Sequence, residues 1–252
     1  MDTPTVISRL RAAGCVFAED EAALLTEAAT TAAELESLVA RRVSGLPLEH
    51  LLGWAEFHGL RIAVRPGVFV PRKRTEFLVD VAVSLAPPDP VVLDLCCGSG
   101  ALGAAFAAAR PPRELHAADV EPAAVECARL NVSRVHLGDL YDALPGSLRG
   151  RVDVLLANVP YVPSDAVATM PPEARLHEPL VALDGGADGL DLARRVAAGA
   201  PQWLTPGGTV LVESSGRQAP VLAGIFAAAG LKPAVRESAD LGATVVTGTA
   251  QS

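Results

Sequence analysis

Aromatic side chains are scarce in this sequence, 4% of 252 residues, although half of the residues are hydrophobic. A chain of this length can bury a substantial core, as one large domain or as a medium and a small one. That core has to be built from Ala, Val and Leu. Cysteines are also few: Cys15, Cys96, Cys97 and Cys127. No Cys-x-x-Cys pair occurs, no His stands at ligand spacing from any of them, and a bridge between the adjacent Cys96 and Cys97 would be strained. The expectation is four small buried thiols in a reducing compartment and no metal.

The chain lacks an apolar run long enough to span a bilayer, and Arg9 and Arg11 interrupt its N-terminal apolar stretch. A cytoplasmic protein with no membrane partner is expected. It lacks positive charge as well. The formal net charge is -8, which disfavours a nucleic-acid duplex or an anionic lipid surface as partner. The densest basic cluster, Arg72-Lys73-Arg74, is short and reads as a solvated loop rather than a phosphate site.

What is present falls into three stretches. Residues 1–50 carry apolar residues at spacings of three and four, such as Val6, Ile7 and Leu10, or Leu35, Leu38 and Val39, which predicts helices. Glu19, Asp20 and Glu21 suit a first helical turn, where the dipole favours negative charge. Residues 51–74 concentrate Trp54, Phe57, Phe69, Gly and Pro; Leu60, Ile62 and Val64 alternate with polar or small residues, and Pro66-Gly67 predicts the turn of a hairpin running into Val68–Val70. Residues 75–252 alternate strand and helix. Strands are predicted at 91–95, 114–119, 134–137, 152–158, 209–213, 234–237 and 243–247, with helices such as 101–110 and 122–130 between the earlier ones. Short apolar strands separated by helices imply an α/β fold, a Rossmann-like parallel sheet covered on both faces. The short link before the last strand predicts an antiparallel edge.

The first of these strands ends in Asp94-Leu95-Cys96-Cys97-Gly98-Ser99-Gly100, and Gly103 completes a G-x-G-x-x-G pattern at a helix start. Such a turn lets backbone approach a ligand closely. Asp119, at the end of the next strand, is placed to bond a ribose diol. A carboxylate at Asp94 would repel a pyrophosphate but suits a cationic ligand, so S-adenosylmethionine is preferred to a dinucleotide. After the third strand, Asp139 could accept an adenine amino group and Leu140 pack on the ring; a turn Asp and a core Leu account for them equally.

At the end of the apolar strand 152–157 stand Asn158-Val159-Pro160-Tyr161. Taken alone, the tetrapeptide favours an ordinary strand exit, since Asn and Pro are common turn residues. Beside a cofactor loop it becomes a device for holding a planar NH2 group: an amide oxygen, a turn carbonyl and a flat ring. Asn158 then borders both the cofactor and the acceptor.

Together these motifs resemble the release-factor glutamine methyltransferases, within the class I S-adenosylmethionine-dependent methyltransferases. Gly45-Leu46-Pro47 through Gly53 is similar to the family's G-x-P-x-x-x-x-x-G segment, and Pro71-Arg72-Lys73-Arg74-Thr75-Glu76 to its P-R-x-x-T-E motif. Asp94–Gly100 resembles the cofactor loop, with Cys96 and Cys97 where Gly and a small residue are usual. Asn158–Tyr161 resembles N-P-P-Y, with Val159 in place of the first Pro. His177-Glu178-Pro179, Leu183–Gly186, Asp188–Leu190, Pro206–Gly208 and Glu213 continue the match. The resemblance implies a seven-stranded catalytic domain over residues 75–252, a hairpin connector over 51–74 and a helical substrate-recognition domain over 1–50. It implies methyl transfer to a protein glutamine in the Gly-Gly-Gln loop of a peptide chain release factor, with the Val159 carbonyl as the second acceptor. Other readings of the same residues are an adenine N6-methyltransferase, a methyltransferase for a small amide or amine, and an inactive cofactor-binding protein.

Overall fold

The computed structural model describes residues 1–251. Its N-terminal stretch forms α1 (Thr3–Ala12), α2 (Ala18–Ala28), α3 (Ala32–Val43) and α4 (Leu48–Leu52). Side chains cap two of them: Asp2 accepts the Thr5 N–H at 3.2 Å and Thr31 the Glu34 N–H at 3.1 Å, each stabilising its helix start by about 1 kcal/mol. Glu34 reaches back to the Thr30 N–H, completing a reciprocal cap. The periodic apolar residues Val6, Leu10, Leu25, Leu35, Leu38 and Val39 form a core of their own. Of the three acids at the start of α2, Glu21 turns inward, where Arg42 holds both its oxygens at 2.6 and 3.2 Å.

The predicted turn forms at Pro66-Gly67, where the Val68 N–H donates to the Arg65 carbonyl at 3.1 Å. The strands that pair lie before it: β1 (Trp54–Phe57) and β2 (Leu60–Ala63) meet around His58-Gly59. The backbone bonds show where the pairing stops. Beyond Ala63, whose N–H and carbonyl are taken by the Asn131 side chain, the chain no longer pairs as a strand. The Val68 carbonyl goes to His50 and the Val70 N–H to Glu178, so residues 68–70 spend their polar groups on side chains and run as a strap.

The catalytic region follows as α5 (Glu76–Leu85), β3 (Val91–Leu95), α6 (Ala101–Ala109), β4 (Glu114–Asp119), α7 (Pro122–Ala128), β5 (Val135–Leu137), β6 (Val152–Ala157), α8 (Pro172–His177), α9 (Asp191–Gly199), β7 (Leu204–Ser214), α10 (Ala219–Ala228), β8 (Leu231–Ser238) and β9 (Ala243–Ala250). Seven strands make one sheet in the order β5-β4-β3-β6-β7-β9-β8, parallel except where β9 pairs antiparallel with both β7 and β8. Every residue of β3 is buried, which is why that strand is apolar apart from Asp94 and shows no alternation. The edge strand β8 carries Lys232, Arg236 and Glu237, charges that discourage pairing with another chain. Among the described residues no helix is long and apolar enough to cross a membrane.

Candidate active site

Leu95 on β3 pairs with Ala157 on β6, so the two strands end level and their loops leave the sheet side by side. Strand order reverses between these strands, and loops at such a point enclose a crevice. The crevice here encloses about 1180 Å³ including its open mouth. Its walls are Cys96–Ser99, Asp119–Glu121, Asn158–Val162, residues of the strap 67–75, and Glu213.

The glycine turn needs three left-handed residues in five: Cys96 at φ 55°, Gly98 at 54° and Gly100 at 78°. A Cβ on Gly98 would meet nothing within 4 Å. Glycine serves there for its backbone angle, and it leaves the peptide bare toward the crevice. At Gly103 the reason is space: a Cβ would lie 3.2 Å from Leu115 and 3.3 Å from Asp94 Oδ2. The close approach lets the Gly103 N–H donate to Asp94 Oδ2 at 2.9 Å. Asp94 is fully buried and its Oδ1 has no partner. Burial pushes its carboxyl up to about 7, against the Gly103 bond and with help from Asp119. Asp119 accepts the N–H groups of Gly98 at 2.9 Å and Glu121 at 3.0 Å, and burial raises its pKa too.

Asp139 and Leu140 are not brought to the crevice walls. Leu140, at φ 47°, turns inward and packs in the sheet core, while Arg195 on α9 draws Asp139 into an ion pair at 2.8 Å. Of the cysteines, Cys97 and Cys127 are buried, whereas Cys15 and Cys96 are half-buried and Cys96 faces the crevice.

Asn158 leaves β6 with a side chain that makes no hydrogen bond among the described residues, and the Val159 carbonyl likewise accepts none. Val159 itself is 2% exposed and packs in the sheet core, which anchors the turn. The Tyr161 hydroxyl donates to Glu213 Oε1 at 3.2 Å and contacts Arg74. Burial, then the Glu213 charge, pushes the Tyr161 pKa up to about 12, so the phenol stays neutral.

A second layer grips the turn from behind. The carbonyl of Pro160 lies 2.6 Å from where a Cβ on Gly185 would be, and that of Tyr161 2.2 Å from the same position on Gly189. Both glycines are required so that backbone can lie on backbone. Gln218 donates one nitrogen to the carbonyls of Tyr161 and Asp188, each at 2.9 Å.

The basic cluster stays partly solvated at Lys73 and Arg74, but all three of its charges are paired. Arg72 reaches both oxygens of Glu178 at 2.7 and 2.6 Å, and that carboxylate is 1% exposed. Arg74 Nε donates to Glu213 at 3.0 Å, and Lys73 pairs with Glu76 at 3.0 Å. Spacing gave no sign of the two arginine pairs, because their partners lie 106 and 139 residues away along the chain. Glu213 was visible as a carboxylate closing an apolar strand, and Gln218 carried no signal.

Residues 59–229 match the family model described as methyltransferase small domain. The release factor glutamine methyltransferase of Gloeobacter violaceus is 40% identical over 202 residues, covering 77% of this chain and 71% of the relative. That of Geobacter sulfurreducens is 37% identical over 204 residues, covering 79% and 71%. That of Mycolicibacterium smegmatis is 43% identical over 188 residues, covering 72% and 66%. Among solved structures, a methyltransferase from Pyrococcus furiosus shares the fold at a TM-score of 0.58 and 17% identity, over 77% of this chain and 90% of that one. The sheet, its switch-point crevice and the glycine turn thus define a class I methyltransferase fold. The chain belongs to the release factor glutamine methyltransferase family.

Proposed function

We propose that this protein methylates the side-chain amide nitrogen of a glutamine in the Gly-Gly-Gln loop of a peptide chain release factor, using S-adenosylmethionine. The observation that carries the reading is the pair of unused acceptors, Asn158 Oδ1 and the Val159 carbonyl, next to the bare glycine loop. The crevice fits the cofactor. Asp94 Oδ1, buried without a partner, suits a cationic ligand; the Gly98 peptide admits close approach; Asp119 has acceptor capacity left for a diol. When bound, S-adenosylmethionine supplies an electrophilic methyl group on a sulfonium.

A carboxamide nitrogen is a poor nucleophile because its lone pair is delocalised into the carbonyl. The residues here act by placing it. Asn158 Oδ1 and the Val159 carbonyl each accept one N–H, which turns the nitrogen lone pair toward the glycine loop. Both bonds strengthen as the nitrogen gains positive charge, so they favour the transition state over the ground state. Tyr161, held neutral, flanks the planar amide. Once it carried the methyl group that a bound cofactor would supply, the nitrogen would hold a surplus proton acidic enough to leave to water. The reaction therefore needs no general base.

The N-terminal helices, with their own core, serve as the substrate-recognition module, and the hairpin links them to the catalytic sheet. The cysteines are all unpaired among the described residues, in keeping with a reducing, cytoplasmic setting. The test is to incubate the protein with methyl-labelled S-adenosylmethionine and a release factor, then map the label by mass spectrometry. Label on the loop glutamine is expected. Label confined to nucleic acid or a metabolite in a lysate would overturn the reading.

A further inference from the structure

Among the described residues three buried side-chain atoms lack a hydrogen-bond partner: Thr75 Oγ1, Asp94 Oδ1 and Glu213 Oε2. Native proteins leave few such atoms, and each asks for a reason. Asp94 lies fully buried behind the glycine turn, bonded to the Gly103 N–H, and Thr75 lines the strap side of the crevice. Glu213 has no part in the mechanism above, yet it is 3% exposed at the crevice wall.

Its surroundings indicate its task. Oε1 is occupied twice, by Arg74 Nε at 3.0 Å and by the Tyr161 hydroxyl at 3.2 Å. Oε2 is unoccupied. Ala157 on β6 pairs with Val212 on β7 in parallel register, so Asn158 and Glu213 come next as neighbours at two adjoining strand ends. Asn158 has an unpartnered NH2 group. An asparagine can present its oxygen to a substrate only if its nitrogen is directed elsewhere, and an ionised carboxylate is an acceptor with no hydrogen to give.

We propose that Glu213 is the positioning residue of this site: a side-chain rotation brings Asn158 Nδ2 to donate a hydrogen bond to Oε2, a contact open in the structure, while Oε1 holds the Tyr161 hydroxyl, so one carboxylate orients both the amide and the ring. Arg74 supports this by fixing the Oε1 edge of Glu213. A carboxylate bound to Nδ2 selects the rotamer in which Oδ1 faces the acceptor. The proposal rests on the reading that Asn158 holds an acceptor amide, and its test has one arm that needs no acceptor.

That arm is NMR of the protein alone. The Asn158 side-chain NH2 signals are identified by their loss in Asn158→Ala. In the wild type one proton should resonate downfield and exchange slowly, and Glu213→Gln, equal in shape, should abolish both features. Gln can offer its own NH2 to Asn158 Oδ1 and so favour the wrong rotamer. The kinetic arm compares Glu213→Gln, Asn158→Ala and the double variant. Glu213→Gln should lower kcat on the order of 30-fold, the scale of one hydrogen bond to a charged group, with the cofactor Kd unchanged. In the Asn158→Ala background it should cost markedly less than in the wild type, only what the Tyr161 contact contributes. A Glu213 that only stabilises the fold would lower Tm, leave the Asn158 signals unmoved and multiply with Asn158→Ala; that result would overturn the proposal. If no glutamine is methylated by the wild type, the proposed function fails while the NMR arm still decides this inference.

Discussion

The side chain of Gln218 donates to the backbone carbonyl of Tyr161 at 2.9 Å, tying the last residue of the Asn-Val-Pro-Tyr turn to the start of α10. The same nitrogen reaches the Asp188 carbonyl. The turn that presents the acceptor oxygens is thus held by tertiary contacts, and Gly185 and Gly189 lie against it from the same side. Gln218→Ala should remove both bonds, destabilise the protein by about 2 kcal/mol and lower kcat. Cofactor affinity should be unchanged, because the glycine loop is anchored elsewhere. Thermal unfolding, single-turnover kinetics and calorimetric binding of S-adenosylhomocysteine check the three parts.

Asn158→Ala removes a positioning acceptor whose bond strengthens as charge develops on nitrogen. Methyl transfer should fall on the order of 100- to 1,000-fold, the usual loss for one preorganised polar group. The cofactor should still bind within about threefold, a change worth less than 1.4 kcal/mol. Unimpaired turnover in a variant that binds cofactor would exclude the amide-holding role.

Val159 carries an N–H that makes no backbone hydrogen bond, so a proline there removes nothing from the ladder. Val159→Pro should stabilise the fold by about 0.4–1 kcal/mol through a stiffer unfolded chain, raising Tm by about 1–4 °C. The acceptor carbonyl is untouched, so kcat should not fall. A drop in both would show that the Val159 backbone angle is not one that proline adopts.

Asp94 makes stability depend on pH in a defined direction. Its folded pKa, near 7, lies above the ordinary carboxylate value, chiefly because burial disfavours the charge. Between the two values the folded state holds a proton that the unfolded state has released. Stability from this group is therefore full in acid and is lost as pH rises toward 7, by at most about 4 kcal/mol. Asp119 acts in the same sense. The apo protein should melt at lower temperature at pH 8 than at pH 5.5, and Asp94→Asn should flatten that slope. A cationic cofactor prefers the ionised carboxylate, so its affinity should rise over the same interval. Melting curves and binding isotherms across pH test both signs.

Much of the catalytic sheet was legible because its buried parallel strands are short and mostly apolar, and at or near their ends stand the special residues: Asp94, Asp119, Asn158 and Glu213. The predicted helices after β3 and β4 fall within one or two residues of α6 and α7. Pro66-Gly67 forms the turn its chemistry predicts, but the strands pair around His58-Gly59, which offers less turn chemistry. Asn131, 68 residues from Ala63, takes the Ala63 backbone where β2 ends, a contact that local sequence does not show. The partners of the basic cluster were hidden in the same way: a local run of charge says nothing of buried Glu178 and Glu213, which meet it only in the folded chain.

The order of apolar segments and glycines along the chain determined that a parallel sheet forms and that its loops carry a cofactor turn and an Asn-led tetrapeptide. Those features depend on neighbours within a few residues, through side-chain period and backbone angle. Which loops stand together was decided by sheet order and register, with Leu95 level with Ala157 and Ala157 level with Val212. That placement sets Cys96, Asn158 and Glu213 around one crevice, gives Arg72 and Arg74 their partners and leaves Asp139 outside. It follows from packing across many tens of residues, where long-range pairing and burial determine which side chains meet.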